Sequence, residues 1–255
     1  MSGRHSAFLR AAIFLAVILY GGSTRAQESY PTGPGAGKEL AAALCSMQPA
    51  EDANWRGVMK ISGRGHQTIA VPVTCQTSLG ESGWSVTYTT GATNGVAAEK
   101  LVIHFSTNAP PQYFYARAAS AGAMPGEPKA LTGAGADVPL GGSDFWLSDL
   151  GFEFYHWPEQ NRLKGEMRRG KPCFVLESVN PQATAEGYGR VKVWIEKESG
   201  APLQAETYGA DGRVLKEFEL GSVKKVGDRY ELKDMEILNR QTGSRTRLIF
   251  DLDAR

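Results

Sequence analysis

The sequence predicts a mainly β (α+β) protein built on one antiparallel sheet, and three observations carry that expectation. Val191, Val193 and Ile195 alternate with Lys192, Trp194 and Glu196, the period-2 pattern of a strand with one buried face. Turn signals recur about every ten to fifteen residues with almost no helix between them, which favours hairpins over βαβ units. The stretch Arg190 to Leu220 reads as a complete meander. In it, Glu198-Ser199-Gly200 reverses the chain, Leu203, Ala205 and Thr207 alternate on the return, and Gly209-Ala210-Asp211-Gly212 turns it again. No repeat of fixed period is present, which argues against a propeller.

Taken in order, residues 1–26 have the build of a secretory signal peptide. Arg4, His5 and Arg10 precede an apolar run from Ala11 to Tyr20, and small residues lead to Ala26. The apolar run is about ten residues, against the roughly 20 needed to span a bilayer, so cleavage before Gln27 and a soluble periplasmic product are expected. No cysteine stands at the cleavage point, so the product is not expected to be a lipoprotein. Residues 27–37 (QESYPTGPGAG) read as a flexible lead-in, and residues 38–255 as a single domain. The Gly33 to Glu39 stretch is one residue short between its glycines for a phosphate loop and has Glu39 where Ser or Thr would hold magnesium.

Lys38 to Met47 predicts one amphipathic helix, with Leu40, Leu44 and Met47 on one face and Pro49 beyond its end. Strands are expected from Trp55 onward, at Val58–Ile61, Thr68–Thr74, Gly83–Thr89, Leu101–Phe105 and Tyr113–Tyr115. Ala118 to Gly142 is rich in Ala, Gly and Pro and reads as a long covering loop. Phe145 to Trp157 then holds six aromatics in thirteen residues, a helix capped at Ser148 or Asp149 and stopped by Pro158. Leu150, Phe154 and Trp157 would share a face, while Phe152 and Tyr155 leave the other sides apolar, so the helix must be covered or buried. It either plugs the sheet or also lines a lipid site. Strands follow at Arg162–Arg168, Cys173–Val179, the meander, Tyr230–Leu238 and Thr246–Leu252.

Composition excludes several functions. Loss of Arg4, Arg10 and Arg25 takes the formal net charge from +1 to −2, which leaves no electrostatic footprint for nucleic acid. Arg168-Arg169 with Lys171 forms the one dense basic cluster, and Gly170 makes it a charged hairpin turn. His66, His104 and His156 are far apart and make no ligand spacing, so no metal site is expected. Gly142-Ser143-Asp144 lacks the second glycine of a nucleophile elbow, and Cys173 lies in a strand as an inert core thiol. No catalytic residue and no cofactor are implied. In an oxidising compartment a Cys45–Cys75 disulfide is expected, tying the first helix to an early strand and leaving Cys173 reduced.

Three stretches in order resemble the outer-membrane lipoprotein-sorting (LolA-like) family: LGGSDFWLSDL from Leu140, GKPCFVLES from Gly170, and VWIEKESGAPLQAETYGADGRVLKEFEL from Val193. The resemblance implies a strongly curved sheet, an unclosed barrel, with helices covering its concave face. It further implies a non-enzymatic carrier or binder of lipoprotein acyl chains, lipids or another hydrophobic ligand, with a membrane-associated donor or acceptor protein as partner. Phe145, Trp146, Leu150, Phe154 and Trp157 are the candidate ligand-binding residues, and a monomer is expected. The alternative is a periplasmic sensing module that contacts a protein partner, since LolA-like domains also occur in regulators of envelope stress.

Overall fold

Alternation along the chain becomes a single row of strands. The computed structural model describes residues 10–11, 15–16, 30–63, 67–93, 95–107, 109–120, 122–226 and 229–252. The segment expected to be a signal peptide, residues 1–26, lies outside these apart from the pairing of Arg10–Ala11 with Leu15–Ala16. A first meander comprises β1 (Ala53–Ser62), β2 (Thr68–Gly80), β3 (Gly83–Thr90), β4 (Glu99–Ser106), β5 (Ala109–Arg117) and the two-residue β6 (Lys129–Ala130). A second comprises β7 (Glu159–Arg168), β8 (Lys171–Val179), β9 (Arg190–Glu196), β10 (Pro202–Tyr208) and β11 (Val214–Leu220). A separate hairpin, β12 (Val223–Val226) and β13 (Arg229–Leu232), then precedes β14 (Asp234–Asn239) and β15 (Arg245–Asp251).

β15 pairs with β1 and fuses the two meanders into a 13-stranded sheet, ordered β6-β5-β4-β3-β2-β1-β15-β14-β11-β10-β9-β8-β7. Every neighbouring pair is antiparallel. One face carries the core. Val71, Val73, Cys75 and Thr77 of β2 are buried while Pro72, Thr74 and Gln76 are exposed. Cross-strand partners continue that face, as Met59 with Val71, Cys75 with Tyr88, and Tyr88 with Leu101.

Four expectations are corrected. The first helix, α1, runs Pro34–Cys45, four residues earlier than its hydrophobic spacing indicated. Proline is pre-organised for a helix's first turn, and Gly33 bridges to Arg162 of β7, so residues 34–37 of the expected lead-in are helical. The strand expected at Tyr230–Leu238 is broken at Lys233, whose N–H bonds Ser222 and whose carbonyl accepts from Phe250. Trp194 does not face solvent: it is 1 % exposed, its Nε1 donates to Glu166, and Arg168 and Lys192 flank its ring. Both faces of β9 are therefore buried.

The fourth correction concerns the aromatic segment. Residues 131–158 cross one face of the sheet from β6 to β7, and we call them the cover. Within it, 3-10 turns at Gly133–Ala136 and Leu140–Gly142 precede α2 (Leu147–Gly151), and another follows at Glu153–His156. Phe152 separates the last two with φ 51, so Phe145–Trp157 is not one helix. A bulky residue in the left-handed region costs roughly 1–2 kcal/mol. The ring contacts of Phe152 with Phe154 and Tyr155 offset that cost.

Candidate functional site: a covered apolar cavity

Polar side chains position the cover. Glu99 on β4 is buried and accepts the Gly141 N–H at 2.6 Å. Asp144 accepts from Thr246 Oγ1 at 2.8 Å and from the Ser244 hydroxyl, fixing the cover to β15. At the far end Gln160 donates to the carbonyls of Phe154 and Trp157 and accepts from Ser178 Oγ at 2.7 Å. Gly151 packs against the Tyr113 ring of β5 so closely that a Cβ there would overlap the hydroxyl. That contact demands glycine.

Between these ties the cover and sheet enclose a cavity of about 40 Å³. From the cover, Phe145, Leu150, Phe152, Phe154 and Tyr155 line it. From the sheet come Val191, Val193, Ala205, Phe218 and Ile237, among others. Asp149 and Lys216 are the charged residues of this lining, which is otherwise apolar except for Thr207 and the Tyr155 hydroxyl.

Lys216, on β11, is 2 % exposed. Its Nζ lies 3.2 Å from Asp149 Oδ2 and 3.7 Å from the centre of the Trp146 ring. Trp146 stacks on Tyr188 at 4.5 Å, and the Tyr188 hydroxyl donates to Asp149 Oδ2 at 3.2 Å. That oxygen also accepts the Trp146 N–H at 2.8 Å, so one carboxylate holds the start of α2, a loop tyrosine and a strand lysine. Desolvation by burial pushes the Lys216 ammonium below its ordinary range, and Asp149 opposes the shift. Burial likewise raises the Asp137 carboxyl, against the Ser148 hydroxyl that donates to it at 2.8 Å. Glu153 is raised for the same first cause, with Asp137 adding to it.

Of the five candidate residues, Phe145, Leu150 and Phe154 line the cavity. Trp146 instead roofs Lys216, and Trp157 packs edge-on against Phe154, outside the lining. Sequence reasoning missed Lys216, although Phe218 and Leu220 fix the buried parity of β11 and Lys216 shares it. The expected Cys45–Cys75 disulfide is not formed; both thiols are free. α1 docks on β7 and β8, far along the sheet from β2, which carries Cys75. Cys45 Sγ sits 3.4 Å from His156 Nε2, with its pKa pushed up to about 11 by burial, whereas burial beside Tyr88 raises Cys75 further. His104 packs edge-on against Phe114 away from both, and His66 lies outside the described residues. Among the described residues no helix is long and apolar enough to cross a membrane.

A row of antiparallel strands with short helical turns packed over one face has a LolA-like fold, and solved structures bear out that fold. A DUF1329 family protein from Desulfovibrio piger ATCC 29098 matches at 16 % identity and TM-score 0.68, over 86 % of this chain and 91 % of that one. A putative outer membrane lipoprotein-sorting protein domain from Vibrio parahaemolyticus matches at 22 % and 0.67, over 86 % and 94 %. A LolA superfamily protein from Nitrosomonas europaea matches at 13 % and 0.59, over 84 % and 91 %. At such identities the likeness establishes the fold alone. A family model described as "uncharacterized protein" matches residues 125–252, just over half of the chain, and the chain belongs to that family. No curated protein matches it.

Proposed function

We propose that the protein is a non-enzymatic periplasmic carrier or binder of acyl chains, whether of lipoproteins, lipids or another hydrophobic ligand. The apolar cavity between cover and sheet carries this reading. Acyl chains gain about 0.8 kcal/mol per buried CH₂ without directional bonds, so a lining of aromatics and branched aliphatics suffices. The fold shared with a lipoprotein-sorting domain supports it.

A second support is curvature. β5 and β8 are ten strand spacings apart, about 48 Å in a flat sheet. Yet the single turn Glu153–His156 contacts both, which supports a sheet curled around its cover, an unclosed barrel. At about 40 Å³ the cavity has room for little more than a water, whereas ligand sites run to roughly 300–1,000 Å³. Loading therefore displaces part of the cover, with a membrane-associated donor or acceptor supplying or removing the ligand. Extraction and native mass spectrometry of the purified protein test the reading. Co-purifying amphiphile, or saturable uptake of an acyl probe, is the expected result; a protein that comes out empty and takes up no probe overturns it.

A further inference from the structure

We infer that the cavity takes an anionic amphiphile, with Lys216 as counter-ion of its headgroup, an inference that rests on the reading of the cavity as an acyl-chain site. The argument lies in which element each charge belongs to. The carboxylates acting on Lys216 are Asp149, Asp144 and Asp137, and all three are on the cover. Lys216 itself is on a central strand of the sheet, its backbone N–H held by Thr207 Oγ1 at 3.1 Å. When the part of the cover bearing Asp149 lifts, its carboxylate leaves and the ammonium stays.

Once a ligand fills the cavity beside Val191, Val193, Ala205 and Phe218 and excludes water, an ammonium without its partner is an uncompensated buried charge, which is strongly unfavourable. A neutral apolar ligand would fill the space and leave that charge unmatched. An amphiphile whose anionic oxygen takes the place of Asp149 Oδ2 fills the space and restores the pair. Tyr188, which lies outside the cover with its ring 5.3 Å from the same ammonium, restricts the direction of approach. A fatty-acid carboxylate and a lysophospholipid phosphate share this chemistry: one anionic head on an apolar chain.

Three pyrene-labelled probes of matched chain length test it at neutral pH: a fatty acid, its methyl ester and a lysophosphatidate. The acid or the lysophosphatidate should bind about ten- to a hundredfold more tightly than the ester, the range of a hydrogen bond to a charged group. Which of the two binds tighter identifies the headgroup. Lys216→Met should abolish the preference, so that acid, lysophosphatidate and ester bind alike, on protein whose circular dichroism shows the native sheet. Asp149→Asn, which removes the competing carboxylate, should tighten the acid several-fold more than it tightens the ester. Equal binding of acid, lysophosphatidate and ester by the wild type overturns the inference while the carrier reading stands. Binding of none of the three overturns both. If Lys216→Met does not fold, an Asp149→Asn protein with unchanged acid affinity overturns the inference by itself.

Discussion

Removing one member of the Asp149–Lys216 pair should cost far more than replacing both. Breaking a buried ion pair leaves an uncompensated charge and costs about 3–5 kcal/mol, whereas an apolar pair of similar volume is often neutral. Here the side chains are 12 % and 3 % exposed, so slight solvent access at Asp149 places each single change near the lower end, about 3 kcal/mol. Asp149→Leu also releases the Trp146 N–H and the Tyr188 hydroxyl, while Lys216→Met keeps the stem's packing and loses the ammonium. The double variant should lose only about 1 kcal/mol, because neither buried charge remains to be compensated. The coupling in the cycle is then roughly 5 kcal/mol, well above the few tenths by which independent sites depart from additivity. Urea unfolding followed by tryptophan fluorescence reads it, with Trp146 stacked directly on the ammonium as reporter. Costs that add would refute the claim that this pair is a desolvated unit.

Three further outcomes are expected. Gly151→Ala should destabilise by about 1–3 kcal/mol as an overpacked site, and the loss should shrink in a Tyr113→Leu background because the ring is what the new Cβ meets; equal costs in both backgrounds count against the contact. Asp137 and Glu153 have folded pKa values raised first by burial, so the folded state holds protons that the unfolded state has released. Their contribution to stability is present below the ordinary carboxylate range and is lost as pH rises through the raised values, and Asp137→Asn should flatten that part of a urea-midpoint profile. An unchanged slope would show that Asp137 is hydrated. Alkylation of native protein should label Cys45 slowly and Cys75 only after unfolding, and a Cys45–Cys75 peptide in a non-reducing map would contradict the free thiols.

Strand positions were legible in the sequence because one face of the sheet is buried, and burial at period 2 leaves a visible alternation in β2, β3, β4 and the central meander. Where both faces are buried the pattern misleads, as at Trp194, whose outer face is covered by long charged side chains from β7 and β9 rather than by water. The cover was legible as an apolar excess but not as a shape. Its break at Phe152 depends on ring contacts formed after folding, and no local propensity favours phenylalanine at positive φ. Likewise the start of α1 is set by Gly33 pairing with Arg162, a contact across more than a hundred residues.

Lys216 shows what the same alternation could have revealed. A lysine on the parity of Phe218 and Leu220 must either break the strand's register or find a buried partner, and a bulge between Tyr208 and Thr207 absorbs Leu215 without moving Lys216 off the core face. The partner it finds is Asp149 in α2, a carboxylate of the aromatic segment. The other polar ties of the cover leave no cation behind when they open: a backbone N–H to Glu99, hydroxyls to Asp144, and two carbonyls to Gln160. Opening at any of these leaves an unsatisfied donor or acceptor for which an acyl chain offers nothing. Opening at Asp149 is different, since an anionic head can take over its pairing with Lys216. On the proposed function, the point of exchange therefore falls at α2, and the ties on either side keep the rest of the cover in place while ligand enters.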